Sequence, residues 1–357
     1  MKNIFLVFLS LFLLAGCVQE RIIDEINIEV GSAFDAIDEE NFIGAFLIQD
    51  YLPDKSIKNR VYQSTASLRR DLMMKIQKQS SQEIYNGGLL ITIFGNKLAD
   101  TGIIDFVDTY QREPSVGARN YLATSSGSAI DILRGEYGSQ GTSAYIFNLI
   151  EHNIQRRDVP RTNLHIFLRD FYKKGKDAYL PELTKKGENE LQISGISIFK
   201  EDREAYVIPM NKMFFFKLMV DKHSQGSFRV HLGKGRDADV ESISSKYKLK
   251  LAGKSKDRAN HVNVHIKIRG MIKEFTGKRL DQKEVNKIEK KLQKIVEREC
   301  LKLLKTFQEK GVDPVGFGYL HRSKIRGFNV DNWEKDYPNL TFDVKCDVTI
   351  VETGVIE

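Results

Sequence analysis

The sequence has little cysteine and, beyond residue 17, no long apolar run. Only three of its 357 residues are cysteine. No stretch after Cys17 approaches the ~20 consecutive apolar residues that a membrane-spanning helix needs. We therefore expect everything after Cys17 to face water.

The two later cysteines lie in apolar patterns. Cys300 falls on the apolar face of a predicted helix, and Cys346 alternates in phase with the apolar residues of a predicted strand. Because free cysteine is among the most buried residue types, two packed thiols are favoured over a disulfide, which stays open as the alternative.

Motifs of common enzymes are also missing. The sequence has no Gly-x-Ser-x-Gly elbow, no phosphate-binding loop and no dinucleotide glycine fingerprint. Ser245 and Lys248 match Ser-x-x-Lys, but residues three apart on a strand face opposite sides. Asp237 and Asp239 form an acidic pair of the kind used in acid-base catalysis, but nothing in their sequence context separates them from ordinary loop residues. We predict no catalytic residue, no cofactor and no enzyme activity.

Seven histidines raise the question of a metal site. The closest pair, His261 and His265, lies in an alternating pattern typical of a strand, which places the two imidazoles roughly 13 Å apart. One zinc ion binds its ligands at about 2 Å, so this pair cannot share it. The others have no Cys or carboxylate partner at ligand spacing: His152, His165, His223, His231 and His321. We predict no metal.

Composition favours a folded, moderately basic protein. Hydrophobic residues make up 41% of the chain and the formal net charge is +7. The sequence shows no aromatic and basic platform for nucleic acid, so we expect none to bind. Two interpretations of the positive charge stay open: a surface near anionic phospholipid headgroups, or a soluble basic domain with no such role.

The N-terminus carries the chemistry that the rest of the chain lacks. Lys2 precedes an almost unbroken apolar run, Ile4 to Leu14, which ends in Leu14-Ala15-Gly16-Cys17. This is the pattern of a bacterial lipoprotein signal, cut between Gly16 and Cys17. We expect Cys17 to carry an S-diacylglycerol group and an N-acyl chain such as palmitate. The two acyl chains of the diacylglycerol group already give stable anchoring, whereas one chain gives only marginal binding.

Residues 17–190 predict a mixed α/β N-terminal domain. Strand patterns at Ile26 to Val30, Asn41 to Gln49 and Leu89 to Phe94 alternate with helical patterns at Ser64 to Gln79 and Lys97 to Arg112. Tyr179-Leu180-Pro181 is taken as the end of this domain.

Residues 191–357 predict a C-terminal α+β domain with an antiparallel sheet and one long helix. Val240 to Leu251 and His261 to Phe275 read as antiparallel strands, and Thr341 to Val351 as a third. The helix is expected over 282–310, where Asp281 and Glu284 form a capping box and Gly311 supplies the stop. The overall class is α+β with several domains, after a signal peptide over 1–16.

Several segments in order are similar to the C-subunit lipoprotein of bacterial spore nutrient germinant receptors, the Ger(x)C family. The similarity covers nearly all of the chain. The segments are the lipoprotein cleavage motif Leu14 to Cys17, called the lipobox, and then Gly88 to Ala99, Gly102 to Phe106, Ser128 to Leu133, Asp177 to Pro181, Ile193 to Lys200, Asp313 to Gly318, Asn332-Trp333 and Tyr337 to Leu340. Val18-Gln19 and Asn211 to Val220 depart from the family pattern.

The resemblance implies a lipid-anchored subunit on the outer face of the spore inner membrane. Its implied partners are two integral membrane subunits, and its implied role in germination is assembly or signal relay. The alternative is a lipid-anchored solute-binding protein of a transporter, for which two α/β lobes around a cleft are expected. Whether the chain itself binds a small molecule stays open.

Two of the motifs, a glycine-rich one and a tryptophan, have alternative interpretations. Gly316-Phe317-Gly318 and Trp333 are expected to form a tight turn and a core or rim aromatic, in preference to a partner-docking spot.

Overall fold

The computed structural model describes residues 26–54, 56–117, 119–222, 226–233, 235–252, 260–277 and 279–353. The strands are β1 (Ile26–Ala36), β2 (Phe42–Tyr51), β3 (Ile57–Ala66), β4 (Glu83–Tyr85), β5 (Ile91–Gly95), β6 (Tyr121–Ser125), β7 (Tyr179–Lys185), β8 (Leu191–Lys200), β9 (Arg203–Pro209), β10 (Gly226–Gly233), β11 (Arg236–Leu251), β12 (His261–Phe275) and β13 (Thr341–Thr353). The helices are α1 (Arg69–Gln77), α2 (Asn96–Thr101), α3 (Ile104–Arg112), α4 (Ala129–Leu133), α5 (Thr142–Arg156), α6 (Leu164–Phe171), α7 (Met210–Val220), α8 (Gln282–Glu309), α9 (Phe317–Lys324) and α10 (Trp333–Asp336).

The first sheet has nine strands in the order β3-β2-β1-β5-β6-β7-β8-β9, with β4 paired to β1. Its centre is parallel, from β1 through β7, and antiparallel hairpin strands complete both sides. Parallel strands need crossover helices, which cover both faces of the sheet. One face packs against α1, α2, α3 and α6, and the other against α4, α5 and α7.

Two of the expected helices are wrong in detail. The segment from Ser64 to Ala66 is the end of β3, so the first helix begins only at Arg69. The helix expected over Lys97 to Arg112 is divided in two, because Gly102 adopts a φ of 129° that other residues rarely take. This break turns α3 so that Phe106 and Val107 face the core.

The second sheet has four strands in the order β10-β11-β12-β13. The first three are antiparallel as expected, but β13 lies parallel to β12, so the sheet is mixed. The long helix α8 explains the difference, since it returns the chain to the end of the sheet where β12 began. The α+β class is confirmed.

The long helix is held at both ends by the expected residues. Asp281 Oδ1 accepts a hydrogen bond from the Glu284 N–H at 2.8 Å, and Gly311 with φ 67° follows the last turn. The Val312 N–H closes a hydrogen bond to the Phe307 carbonyl at 2.9 Å. This is the pattern of a Schellman cap.

Carboxylates of α8 also cover the outer edge of β13. Glu297 Oε1 accepts from the Cys346 N–H at 3.0 Å, and Glu289 Oε1 accepts from the Ile350 N–H at 2.8 Å. Eight helical residues rise about 12 Å and four strand residues span about 13 Å, so the two spacings match. Both N–H groups point away from β12 and are satisfied by the helix.

The helix α7 joins the two sheets. Its three phenylalanines, Phe214, Phe215 and Phe216, are all buried, and the helix contacts β8 and β9 of the first sheet and β10 to β12 of the second. The segment that departs from the family pattern is therefore core in this protein. Within the described residues, no helix is long and apolar enough to cross a membrane.

The segment Tyr179 to Pro181, expected to close the first domain, instead opens β7. The next two strands, β8 and β9, complete the first sheet by antiparallel pairing. The domain division at residues 190 and 191 thus falls between two paired strands of one sheet, and it stays a prediction.

Candidate functional site at the junction of the two sheets

The predicted lipidation site lies outside the described residues. Gly16 and Cys17 precede Ile26, where the description begins. The cleavage between them and the acylation of Cys17 stay predictions.

The described histidines do not gather at one site, and one of them, His231, contacts Asp237 of the acid pair Asp237 and Asp239. His261 Nδ1 lies 2.8 Å from Thr341 Oγ1, and His265 Nε2 lies 2.8 Å from Asp347 Oδ2, both on the outer face of the second sheet. Asp237 contacts Arg229 and His231 instead of a second acid. Of the other histidines, His321 is buried beside Trp333. His152, His165 and His231 lie apart from His321, and His223 is outside the described residues.

Two further expectations concern Ser245, Lys248 and the later cysteines. Ser245 is buried and Lys248 is exposed on β11, so the two side chains face opposite sides as predicted. Cys300 and Cys346 are buried free thiols, which confirms the packed alternative.

In the described part of the chain, no group of three His, Cys, Asp or Glu residues could hold a metal ion.

What the structure does bring together is a set of motif residues far apart in sequence. The Asp177 N–H donates to the Asp313 carbonyl at 3.0 Å, and the Asp313 N–H donates to Asp177 Oδ2 at 2.6 Å. Two segments on which the family resemblance rests are thereby joined directly. They connect the chain before β7 to the chain after α8.

The Asp313 side chain organises the turn that follows it. Its Oδ1 accepts from the Gly316 N–H and its Oδ2 from the Gly318 N–H, each at 2.8 Å. Gly316 has φ 87° and ψ 42°, the left-handed conformation that glycine adopts without steric cost. The expected tight turn is therefore present, and it starts α9.

Two glycines let the segments touch. A Cβ on Gly175 would lie 2.6 Å from the Gly318 carbonyl carbon, and a Cβ on Gly318 would lie 2.8 Å from both the Gly175 Cα and Trp333 Nε1. The Tyr319 N–H donates to the Gly175 carbonyl at 2.8 Å. Trp333 is buried against this contact and against His321, whose ring centroid is 4.9 Å away. The expectation of a core aromatic at Trp333 agrees with its position.

Burial perturbs the acids of the junction. Burial raises the pKa of Asp313 to about 7, although the N–H groups of Gly318, Phe317 and Gly316 oppose the shift. Burial also raises the pKa of Asp177, and the Lys200 ammonium opposes it. Lys200 Nζ in turn lies 3.0 Å from Glu334 Oε1, on the segment that carries Trp333.

A cleft of about 720 Å³ opens beside these residues. Its lining mixes lysines with carboxylates and includes Asp313, Trp333 and Tyr337. No nucleophile and base face each other among the contacts described at this site. The arrangement joins two parts of the fold by hydrogen bonds, close packing and ion pairs.

Sequence reasoning identified the motif segments but not their meeting. Asp177 and Asp313 are 136 residues apart, and no periodicity links them. Gly175, which makes the contact possible, stands in an unremarkable loop sequence. A signal was available only in the resemblance, which singled out both segments.

Comparisons with known proteins match both of the regions that the junction joins. Residues 19–185 match the family model described as "Spore germination protein N-terminal domain", and residues 194–354 match "Spore germination B3/ GerAC like, C-terminal". Spore germination protein GerQC of Bacillus cereus is 33% identical over 359 residues, which covers 99% of each chain. The chain belongs to the Ger(x)C family of spore germination proteins.

Other Ger(x)C relatives are more distant. Spore germination protein KC of Bacillus subtilis (strain 168) is 26% identical over 172 residues, 46% of this chain and 42% of that protein. The crystal structure of the GerBC protein matches with a TM-score of 0.58 at 14% identity, covering 90% of this chain and 97% of that one. This last comparison shows a shared fold.

Proposed function

We propose that the protein is a lipid-anchored subunit of a spore nutrient germinant receptor and acts in assembly or signal relay. The observation that carries this proposal is the similarity to GerQC along the whole chain. It favours the receptor subunit over the solute-binding alternative. The proposed anchor is acylated Cys17, and the proposed location is the outer face of the spore inner membrane.

The junction supports a relay or assembly role over catalysis. Asp177 and Asp313 bind each other through backbone and side-chain hydrogen bonds, and Gly175 and Gly318 pack without side chains between them. Because such close-packed contacts leave no free space for one segment to move alone, a displacement of one sheet is transmitted to the other. The proposed partners are two integral membrane subunits of the receptor.

The first test replaces the proposed anchor, in the variant Cys17→Ala. All described elements begin at Ile26 or later, so the fold should be unchanged, while the protein should leave the membrane fraction and germination on nutrients should slow. Mass spectrometry of the N-terminal peptide and fractionation of dormant spores measure the two effects. Cys346→Ala, which removes a cysteine outside the lipobox, is the control and should stay acylated.

Two results would contradict parts of the proposal. An unacylated wild-type Cys17 would remove the anchor, and wild-type germination by a soluble Cys17→Ala protein would remove its functional need. Affinity purification of the tagged protein from spore membranes tests the partners. Two polytopic proteins are expected, whereas a transporter permease would support the solute-binding alternative.

A further inference from the structure

The outer face of the second sheet is open, and the part of it towards the start of β12 carries an excess of positive charge. The chain's basic residues concentrate in its second half, where residues 191–357 contain 33 Lys and Arg against 23 Asp and Glu. One face of the sheet packs on the core through α7 and α8. The other face presents alternate residues of β11, β12 and β13 to solvent.

Strand register places these residues in rows across the sheet. The rows are Lys250, Asn263 and Asp343; Lys248, His265 and Lys345; Lys246, Lys267 and Asp347; and Ser244, Arg269 and Thr349. We call these twelve residues the basic sheet face. It carries six Lys or Arg side chains and two carboxylates, which leaves an excess of four positive charges.

The two carboxylates are already occupied. Asp347 pairs with His265 at 2.8 Å and with Lys267 at 3.5 Å, and Asp343 pairs with Lys345 at 3.7 Å. The remaining cations, Lys246, Lys248, Lys250 and Arg269, are exposed and form no ion pair with any residue that the structure describes.

Like charges oppose each other directly on this face. Lys246 lies across from Lys267 in the antiparallel register, and neighbouring strands are about 4.8 Å apart. Such pairs destabilise a sheet, and an anionic partner would relieve the repulsion. The face is therefore complementary to a negatively charged surface.

We propose that the basic sheet face docks on the anionic headgroups of a phospholipid bilayer. Its cations are spread over three strands and, apart from Arg269, all are lysines. Lysine acts as a flexible point charge, which suits a diffuse anionic layer, whereas specific carboxylate recognition favours the arginine fork. An acidic protein segment is the other possible occupant, and the experiment separates the two.

This inference rests on the membrane location in the proposed function, because an acyl anchor would hold the face at high effective concentration near the lipid. Its test, however, uses neither acylation nor germination. The chain from residue 18 onward retains every described element, since the first begins at Ile26. Binding of this unacylated chain to vesicles measures the face alone.

The experiment compares two triple variants. Lys246→Gln, Lys248→Gln and Lys250→Gln together neutralise the three lysines that β11 contributes to the basic sheet face. Lys283→Gln, Lys290→Gln and Lys294→Gln remove the same charge from the exposed side of α8. Co-sedimentation is measured with phosphatidylcholine vesicles that contain phosphatidylglycerol, and with pure phosphatidylcholine vesicles. Circular dichroism checks that both variants are folded.

We expect the wild-type chain to bind only the anionic vesicles, and less as salt is raised. A cation near an anionic bilayer contributes about fivefold in partition, so the sheet variant should bind up to about a hundredfold more weakly. The helix variant should bind nearly as the wild type does.

Three results would overturn the proposal: no binding to the anionic vesicles, equal loss in both variants, or full binding by the sheet variant. A soluble poly-glutamate peptide is the probe for the other occupant. If the face bound that peptide but not the vesicles, an acidic protein partner would replace the lipid. None of these results would alter the outcome of the Cys17 test.

Discussion

Glu29 places a carboxyl group on a buried face of the first sheet. The residue lies on β1 and has no exposed surface. Nearby, Ser32 Oγ lies 2.6 Å from Tyr110 Oη, and the Arg69 guanidinium stacks 3.6 Å from the centre of the Tyr110 ring. Burial raises the pKa of Glu29 to about 8, although Arg69 and Ser32 oppose the shift. The folded protein therefore holds this carboxyl in its neutral form at pH 7.

We expect Glu29→Gln to flatten the pH dependence of stability. Between about pH 4.5 and pH 8 the folded chain keeps a proton that the unfolded chain releases, so the free energy of unfolding falls as pH rises. Glutamine is neutral throughout, which removes this part of the slope and leaves the similar part from Asp313. Urea denaturation at about pH 5 and about pH 8 measures the difference.

The exposed variant Glu39→Gln serves as the control for this measurement. It should follow the wild type at both pH values. If Glu29→Gln and the wild type lost stability in parallel as pH rose, the buried neutral carboxyl would not account for the slope.

At the scale of elements, the junction depends on a backbone contact that a single methyl group would block. The expected effect of Gly175→Ala is a loss of about 2–4 kcal/mol in the free energy of unfolding, from steric overlap and from the positive φ of 86°. Gly187→Ala is the matched control, because a Cβ there meets no atom within 4 Å. Thermal and urea denaturation of both variants compare the two losses. Equal stability of the two variants would show that the contact is not close-packed in solution.

The edge of β13 provides a second prediction at this scale. Glu289→Ala with Glu297→Ala removes two acceptors, and the freed N–H groups form a template for pairing with another chain. We expect about 1–3 kcal/mol of destabilisation for each lost acceptor and faster aggregation in light scattering. The double glutamine variant keeps a carbonyl acceptor at each position and should aggregate more slowly than the alanine variant. Indistinguishable aggregation of the two variants would argue against protection of the edge.

Elements with strong local signals were predictable from sequence. The long helix α8 has an Asp281 cap, an apolar face and a Gly311 stop, and the structure places it at Gln282–Glu309. The strand β3 was missed, because its residues are half-exposed and mostly polar on an edge of the sheet. The break at Gly102 was missed too, since the apolar spacing continues through it and only the backbone conformation reveals it.

The candidate site was predictable only in pieces. Glycine spacing indicated the turn at Gly316 to Gly318, and Trp333 was expected to be buried. The contact between Asp177 and Asp313 arises from the tertiary fold, in which β7 and the end of α8 meet. No local pattern encodes such a meeting, and the parallel pairing of β13 was hidden for the same reason.

At the scale of the whole molecule, charge and packing are distributed unequally. The core is continuous from the first sheet through α7 into the second. The positive excess, by contrast, belongs to the second half of the chain. The molecule thus has one core that the two sheets share, a second core on the opposite face of the first sheet, and two surfaces of different electrostatic character.

The connection from β12 through α8 to β13 has a consequence for the order of folding. A chain exported as proposed emerges from the membrane with its N-terminal part first, so the first sheet can close while the second still lacks its last strand. Until residues 341–353 have emerged, the β12 edge and the apolar side of α8 have no partner on that side. The final strand therefore acts as a completion step, and a chain interrupted before it exposes the surfaces on which quality-control proteases and chaperones act.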